Sequence, residues 1–418
     1  MADVRPLRAL HYDPAREDIG AVVSPPYDVI DPTQRAALQA QSPHNVVEID
    51  LPQGDDPYAT AAAAFARWRD EGVLVRDAEP AFWAQTQDYT GPDGRPYTRS
   101  GLFARVRVEE YGPGRIRPHE RTHPGPKEDR LRLTRATRTN LSPIFALYDD
   151  PDNAAWRALE PAASGTPFAD VTDVGGTRHR LWRVTDPAAL EAVTAALEPS
   201  ELLIADGHHR YETARVYAEE IGGEGAHRYV MACLVALQDP GLTVFPTHRL
   251  LTGLDTVRQE ALRDAMLRDW DVEKVDLDAL EPAPAEDSVQ LGYLDAFHRQ
   301  PYRLTLKDAA VVDAALPYRS AAYRGLDTAV LEALVLKGAL GMSEDDISHL
   351  HGLDYSRTTD EARERILSGD VQAGFFTGAT PVARIRDVAA AGEVMPPKST
   401  FFFPKVLTGL LLNPLDEE

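Results

Sequence analysis

A chain of 418 residues with 43% hydrophobic and 26% charged residues has the composition of a folded protein and exceeds the usual size of one hydrophobic core, so two or three packed units are expected. Its formal net charge of −22 argues against an extended nucleic-acid surface, because phosphate backbones are held by clustered Lys and Arg. The lone Cys233 cannot form an internal disulfide and reads as a buried, inert thiol, no run approaches the ~18 apolar residues of a membrane span, and the cytoplasm is the expected compartment.

Taken in chain order, 46–51 reads as a strand with Glu48 and Asp50 on one face, and 56–71 as a helix whose apolar side includes Phe65 and Trp68. Strands over 81–89 and 97–108 flank the turn Gly91–Pro92–Asp93–Gly94 and form a hairpin. Residues 111–138 break the pattern, with prolines and glycines up to Lys127 and then a basic helix containing Arg130, Arg132, Arg135 and Arg138. Such a segment suits a lid. Strands are expected at 141–148, 178–184, 229–237 and 243–250, and helices at 151–163 and 187–197. Beyond them, helices over 255–269 and 327–340 accompany strands at 291–297, 301–306 and 374–377. A capped helix beginning at Pro381 precedes Lys398–Ser399–Thr400 and three phenylalanines, which cannot all face water.

The most informative stretch is 200–214. Leu202 to Ala205 reads as a buried strand, and Tyr211, Ala214, Ala218 and Ile221 recur at helical spacing until Gly222–Gly223. Between them stand Asp206, Gly207, His208, His209 and Arg210. A strand that ends at a helix start presents unpaired backbone N–H groups and the positive end of the helix dipole, which stabilise an anion. Gly207 permits close backbone approach, His208, His209 and Arg210 add donors, and Asp206 suits a cation or a histidine partner. The plain reading is a polar turn with a capping aspartate; the buried strand and the cluster of donors favour a phosphate site.

Asp206–Gly207–His208–His209–Arg210–Tyr211 resembles the phosphate-binding box of the ParB/sulfiredoxin superfamily, in its free-serine kinase form more than in the Gly–Glu–Arg–Arg form of partition proteins. The whole chain resembles the DUF1015 family through Pro25–Pro26–Tyr27–Asp28–Val29–Ile30, Asn45–Val46, Pro118–His119–Glu120, Pro126–Lys127, Asp129–Arg130, Asn140–Leu141–Ser142–Pro143–Ile144–Phe145, Pro246–Thr247–His248–Arg249 and Pro397–Lys398–Ser399–Thr400. The resemblance implies a mixed α/β fold: a ParB/sulfiredoxin-like nucleotide-binding core over 1–240, an α/β middle region over 241–325 and a C-terminal helical or mixed region over 326–418.

Other motifs are weighed against plainer readings. His119–Glu120–Arg121–Thr122–His123 matches H-E-x-x-H, but Pro118 and Pro124–Gly125–Pro126 confine it to about one turn, whereas zinc needs both histidines on one helical face. Glu120 suits a general base, and Glu48 is the second choice. Lys127, Arg130 and Lys398 suit phosphate oxygens, against the alternative of a solvated basic face. His248, at a strand end, reads as structural. Neither a P-loop nor a Rossmann fingerprint occurs, so a nucleotide would be held by the Asp206–Arg210 turn.

The expected activity is a nucleotide-dependent phosphotransferase acting on a small hydroxyl metabolite, with free serine as the implied example. Gly207, His208, His209 and Arg210 would bind ATP or ADP together with Lys127, Arg130 and Lys398. Glu120, His208, Asp206 and Glu48 are the catalytic candidates, and Asp206 is the candidate Mg2+ ligand. Two alternatives stay open: a nucleotide-gated regulatory protein using the same turn, and a metal hydrolase built on His119, His123 and His208.

Overall fold

A computed structural model describes residues 2–91, 94–113, 115–119, 124–283 and 288–416. They fall into two compact units: Met1–Pro118, Thr122–Thr243 and Pro404–Glu418 form the first, and His119–Arg121 with Val244–Phe403 the second. The fold is mixed α/β.

Among the described residues, the first unit is built on a nine-stranded sheet. Its strands are β1 (Val4–Arg5), β2 (Phe82–Thr90), β3 (Pro96–Arg107), β4 (Ile116–Pro118), β5 (Ile144–Tyr148), β6 (Ala169–Thr172), β7 (Arg178–Val184), β8 (Leu202–Asp206) and β9 (Tyr229–Ala236). They lie in the order β4-β8-β5-β9-β3-β2-β7-β6, with β1 alongside β3. Strands β8 and β4 are parallel, as are β9 and β5, while β8–β5, β9–β3, β3–β2 and β2–β7 are antiparallel. The predicted hairpin is therefore present as β2–β3, closed by Gly94 N–H to Gly91 O at 3.0 Å; Pro92 and Asp93 lie outside the described residues.

Strand alternation sorts the side chains onto two faces. Phe82, Ala84, Leu102, Ala104, Ile144, Ala146, Leu202, Ile204, Ala232 and Leu234 form one core with Leu159 and Val193 from the helices Ala154–Ala163 and Pro187–Leu197. Opposite lie Gln87, Arg99 and His179, all buried although polar.

Residues 46–51 do not form the expected strand. Val47–Asp50 is one helical turn (α1). Asn45 decides this: its Oδ1 accepts from Val47 N–H at 3.0 Å, while its Nδ2 donates to the carbonyls of Ala21 and Val23. Those side-chain bonds to the backbone outweigh the strand preference of β-branched Val and Ile. Helix α2 (Pro57–Asp70), with Asp56 accepting from Ala59 N–H, packs Phe65 and Trp68 against Ile49, Leu133 and Leu141. Leu133 comes from α3 (Pro124–Thr137), and α4 (His208–Ile221) follows β8.

Among the described residues of the second unit, a six-stranded antiparallel sheet joins the strands His248–Leu251, Trp270–Lys274, Gln290–Asp295, Tyr302–Leu306, Leu353–Ser356 and Ala373–Phe376. The strand expected over 243–250 is split, with separate strands at Thr243–Phe245 and His248–Leu251. Phe402 is buried and Phe403 stacks on Phe245 with ring centroids 4.6 Å apart.

Candidate functional site

Strand β8 delivers Asp206 to the start of α4. Gly207 makes the turn at φ 88°, a left-handed conformation that glycine adopts without the penalty of a Cβ. A Cβ there would also stand 2.9 Å from Arg210 Nε. No side chain caps α4, and Gly207 N–H instead donates to Asp206 Oδ1 at 2.8 Å.

Asp206 collects cations. Lys405 Nζ donates to its Oδ2 at 2.9 Å, and Arg210 Nη2 lies 3.6 Å from its Oδ1. Burial works against ionisation of this carboxyl, but Lys405 and Arg210 outweigh it and hold the group well below the usual carboxylate range. Arg210 is anchored by a second bond, donating from Nη1 to the carbonyl of Pro143.

Arg210 also lines a cavity of ≈ 40 Å³ together with Tyr27, Asp50, Arg130, Ser142 and Thr213. Arg130 Nη1 donates to Asp50 O at 2.7 Å and to its Oδ1 at 3.2 Å, and the guanidinium sits 4.2 Å from the Tyr27 ring centroid. Ser142 Oγ donates to Asp50 Oδ2 at 3.1 Å. Burial raises the Asp50 pKa against the pull of Arg130, Ser142 and Arg210. Thr213 also lines the cavity, and its Oγ1 is buried with no hydrogen-bond partner among the described residues.

The sequence candidates thus separate. Asp206, Gly207, His208, His209 and Arg210 share one turn, with His208 buried and His209 half-buried, but Arg210 alone of these five lines the cavity. Arg130 reaches it as well, though its donors are engaged by Asp50 and by Asp129, which accepts at 2.8 and 2.6 Å. Lys127 points to Glu212 at 3.9 Å. Glu48 faces Arg35 Nη2 at 3.6 Å, and because 47–50 is helical it does not share a face with Asp50, contrary to the strand reading. Lys398, His119 and His248 belong to the second unit. There, His119 Nε2 bonds Thr400 Oγ1 at 2.7 Å, and His248 is buried against Thr359. Glu120 and His123 lie outside the described residues. Among those described, no group of three or more His, Cys, Asp or Glu could hold a metal ion.

Sequence reasoning missed Lys405 as the partner of Asp206, although its place after three phenylalanines marked a segment that packs inward. Thr213 was missed too. Its signal was available, since it stands one turn beyond Arg210 and so on the same helical side.

A half-buried Asp–Arg–Lys cluster at a helix start beside a small cavity of mixed polar and apolar lining marks a mixed α/β protein with the elements of an anion site. The chain belongs to the DUF1015 family, described as proteins of unknown function, whose model matches residues 4–329. No curated protein matches it. Similar solved structures include a conserved hypothetical protein from Pyrococcus furiosus, at 14% identity and TM-score 0.36 over 74% of this chain and 95% of that one. A free serine kinase in complex with AMP follows at 14% identity and TM-score 0.35, over 74% and 92%. SbnI with a C-terminal truncation, from Staphylococcus aureus, stands at 12% identity and TM-score 0.36, over 73% and 85%. These likenesses are distant, and none of the site's chemistry rests on them. No helix among the described residues is long and apolar enough to cross a membrane.

Proposed function

We propose that the first unit is a nucleotide-dependent phosphotransferase of ParB/sulfiredoxin-like type acting on a small hydroxyl metabolite, with free serine as the first acceptor to test. The observation that carries this reading is convergence. Tyr27, Asp50, Arg130, Ser142 and Arg210 come from five separate segments and meet at one cavity beside the start of α4, with Thr213 in its wall. The resemblance of the Asp206–Arg210 box to that of free-serine kinases supports it.

In this reading the phosphates of ATP or ADP lie at the α4 N-terminus, where helix dipole, Arg210 and Lys405 neutralise them. A cavity of ≈ 40 Å³ holds a few waters or one small polar group, so base and ribose lie outside it. The acceptor hydroxyl oxygen attacks phosphorus, the bond to the departing nucleotide oxygen breaks, and the hydroxyl proton passes to a carboxylate. Glu120, the first sequence candidate for that base, lies outside the described residues, and Glu48 is the second. Positioning and charge neutralisation account for most of such catalysis. Both Asp206 oxygens are engaged by protein donors, so magnesium would enter chiefly on the phosphate oxygens, as this ion usually does, with Asp206 as the adjacent carboxylate.

Isothermal titration with ATP and ADP, followed by phosphorus NMR with serine and other hydroxyl compounds, tests the reading. The expected result is nucleotide binding weakened at least ~10-fold in Arg210→Met, the scale of one lost charge-assisted contact, and a new phosphomonoester signal that requires an acceptor. Absence of binding by either nucleotide at millimolar concentration overturns it.

A further inference from the structure

Three polar side chains form a single row across the buried face of the first unit's sheet. His179 on β7 stands directly opposite Gln87 on β2, and Gln87 directly opposite Arg99 on β3. The row is continuously hydrogen-bonded. Arg99 donates from Nε to Gln87 Oε1 at 3.0 Å, and Gln87 Nε2 lies 3.3 Å from His179 Nδ1. At the far end His179 Nε2 is 2.9 Å from Asp173 Oδ2.

Every proton in this row has a fixed direction. Arginine only donates, so the Gln87 oxygen must face it and the Gln87 amide N–H groups must face the other way. His179 Nδ1 therefore accepts, its proton sits on Nε2, and that N–H donates to Asp173. Asp173 Oδ1 is held in turn by the N–H groups of Gly175 and Thr177 at 2.8 and 3.0 Å. Gln87 can thus present its second N–H in one direction only.

That N–H donates to the carbonyl of Lys405 at 3.0 Å, and Arg99 Nη2 donates to the adjacent carbonyl of Pro404 at 2.6 Å. Arg99, only 1% exposed, is further fixed by the Phe145 ring 4.6 Å from its guanidinium. Two consecutive carbonyls of the returning C-terminal segment are therefore gripped from the sheet, at the residue whose amine reaches Asp206. Lysine has a long flexible side chain with high rotamer entropy, so a fixed main-chain origin is what makes its 2.9 Å contact with Asp206 reproducible.

We propose that Gln87 and Arg99 are positioning residues for the phosphate site: by clamping the Pro404–Lys405 backbone they place the Lys405 ammonium on Asp206, and Asp173–His179 sets the orientation of Gln87. This rests on the phosphotransferase reading for its functional meaning and on the geometry alone for the clamp.

The test uses the full chain with Gln87→Glu and Gln87→Met. Glutamate keeps an acceptor for Arg99 but sets a carboxylate oxygen against the Lys405 carbonyl; methionine removes both functions. Competitive acetylation read by mass spectrometry reports each lysine amine, with Lys127, Lys307 and Lys337 as controls within the same molecule. Loss of one hydrogen bond corresponds to about five-fold in an equilibrium, so Lys405 should label about five-fold faster in both variants while the controls stay constant. If methionine prevents folding, the glutamate variant decides. A Lys405 rate that does not rise relative to the controls overturns the clamp. In the second arm, nucleotide affinity is measured for Gln87→Glu, Lys405→Met and the double variant. Acting through Lys405, Gln87→Glu should add nothing in the Lys405→Met background; additive losses overturn the assignment. If the wild-type chain binds no nucleotide, the phosphotransferase reading falls while the labelling arm still decides the clamp.

Discussion

Replacing Lys405 by methionine isolates the charge that keeps Asp206 ionised. The ammonium lies 2.9 Å from Asp206 Oδ2, with side-chain exposures of 19% and 17% for the two partners, so the pair sits between the exposed and the fully buried regimes. Exposed pairs contribute up to ~1 kcal/mol, whereas breaking a buried pair costs about 3–5 kcal/mol. Arg210 still stands 3.6 Å from Oδ1 and compensates part of the loss, which places Lys405→Met at about 2–3 kcal/mol near pH 7. The pH dependence has a definite sign. Asp206's folded pKa lies below its unfolded value of 3.8, so its stabilisation is fully present above that value and is lost as pH falls through the folded pKa. In the variant, burial pushes the carboxyl upward with less opposition, so the wild-type advantage should be largest near neutrality and shrink below about pH 4. Urea unfolding between pH 3 and 8 reads this out through tryptophan fluorescence, since Trp68, Trp83, Trp156 and Trp182 all belong to the first unit and Trp270 to the second. A difference below ~1 kcal/mol at pH 7, or one that does not change on acidification, would refute the reasoning.

Arg130→Met removes the main cationic partner of buried Asp50 and should destabilise the first unit by about 3–5 kcal/mol, measured by the same denaturation; a loss under ~1 kcal/mol would show that the pair does not hold the cavity together. Gly207→Ala forces a Cβ into a turn at φ 88° and to within 2.9 Å of Arg210, with an expected cost of about 1–2 kcal/mol and weaker ADP binding by calorimetry, whereas an unchanged variant would mean the turn is not constrained. In the second unit, burial chiefly and Arg249 secondarily depress the His248 pKa from 6.5 to about 3. The unfolded chain therefore binds a proton below 6.5 that the folded chain does not, and stability should fall from pH 6.5 toward 3 by on the order of a few kcal/mol. His248→Gln should flatten that slope, and an imidazole NMR titration with a midpoint near 6 would contradict it.

Local signals in the sequence were read well where one physical cause dominated. Residues 178–184 and 187–197 have the expected ends because strand alternation and the Asp186 cap act without competition, and the turn at Gly207 follows from an apolar strand running into a helical repeat. Residues 46–51 were misread because the β-branched pattern was visible while the decisive contacts of Asn45, to the carbonyls of Ala21 and Val23, lie more than twenty residues away. The polar row shows the same limit. Alternation places Gln87, Arg99 and His179 opposite the apolar core, which in isolation describes a wet sheet face. That the face is buried, with Gln87 and Arg99 bonded to the carbonyls of residues 405 and 404 over three hundred positions away, is encoded by no periodicity. Lys405 escaped for the same reason, standing 199 residues from Asp206.

An acidic residue at the centre of an anion site is a burden unless it does something for the cations around it. Without Asp206, Lys405 and Arg210 would be two like charges facing each other across a partly buried turn, and each would gain by swinging toward water. The carboxylate reverses that balance, holding both at 2.9 and 3.6 Å, while the Pro143 carbonyl and the sheet clamp fix their bases from behind. In the proposed reading, a phosphate arriving at α4 meets cations already in position, so their ordering cost is met on folding rather than on binding. In that reading a chain with net charge −22 can still offer a local anion site, because the positive charge needed is small and the buried polar bonds fix where it points.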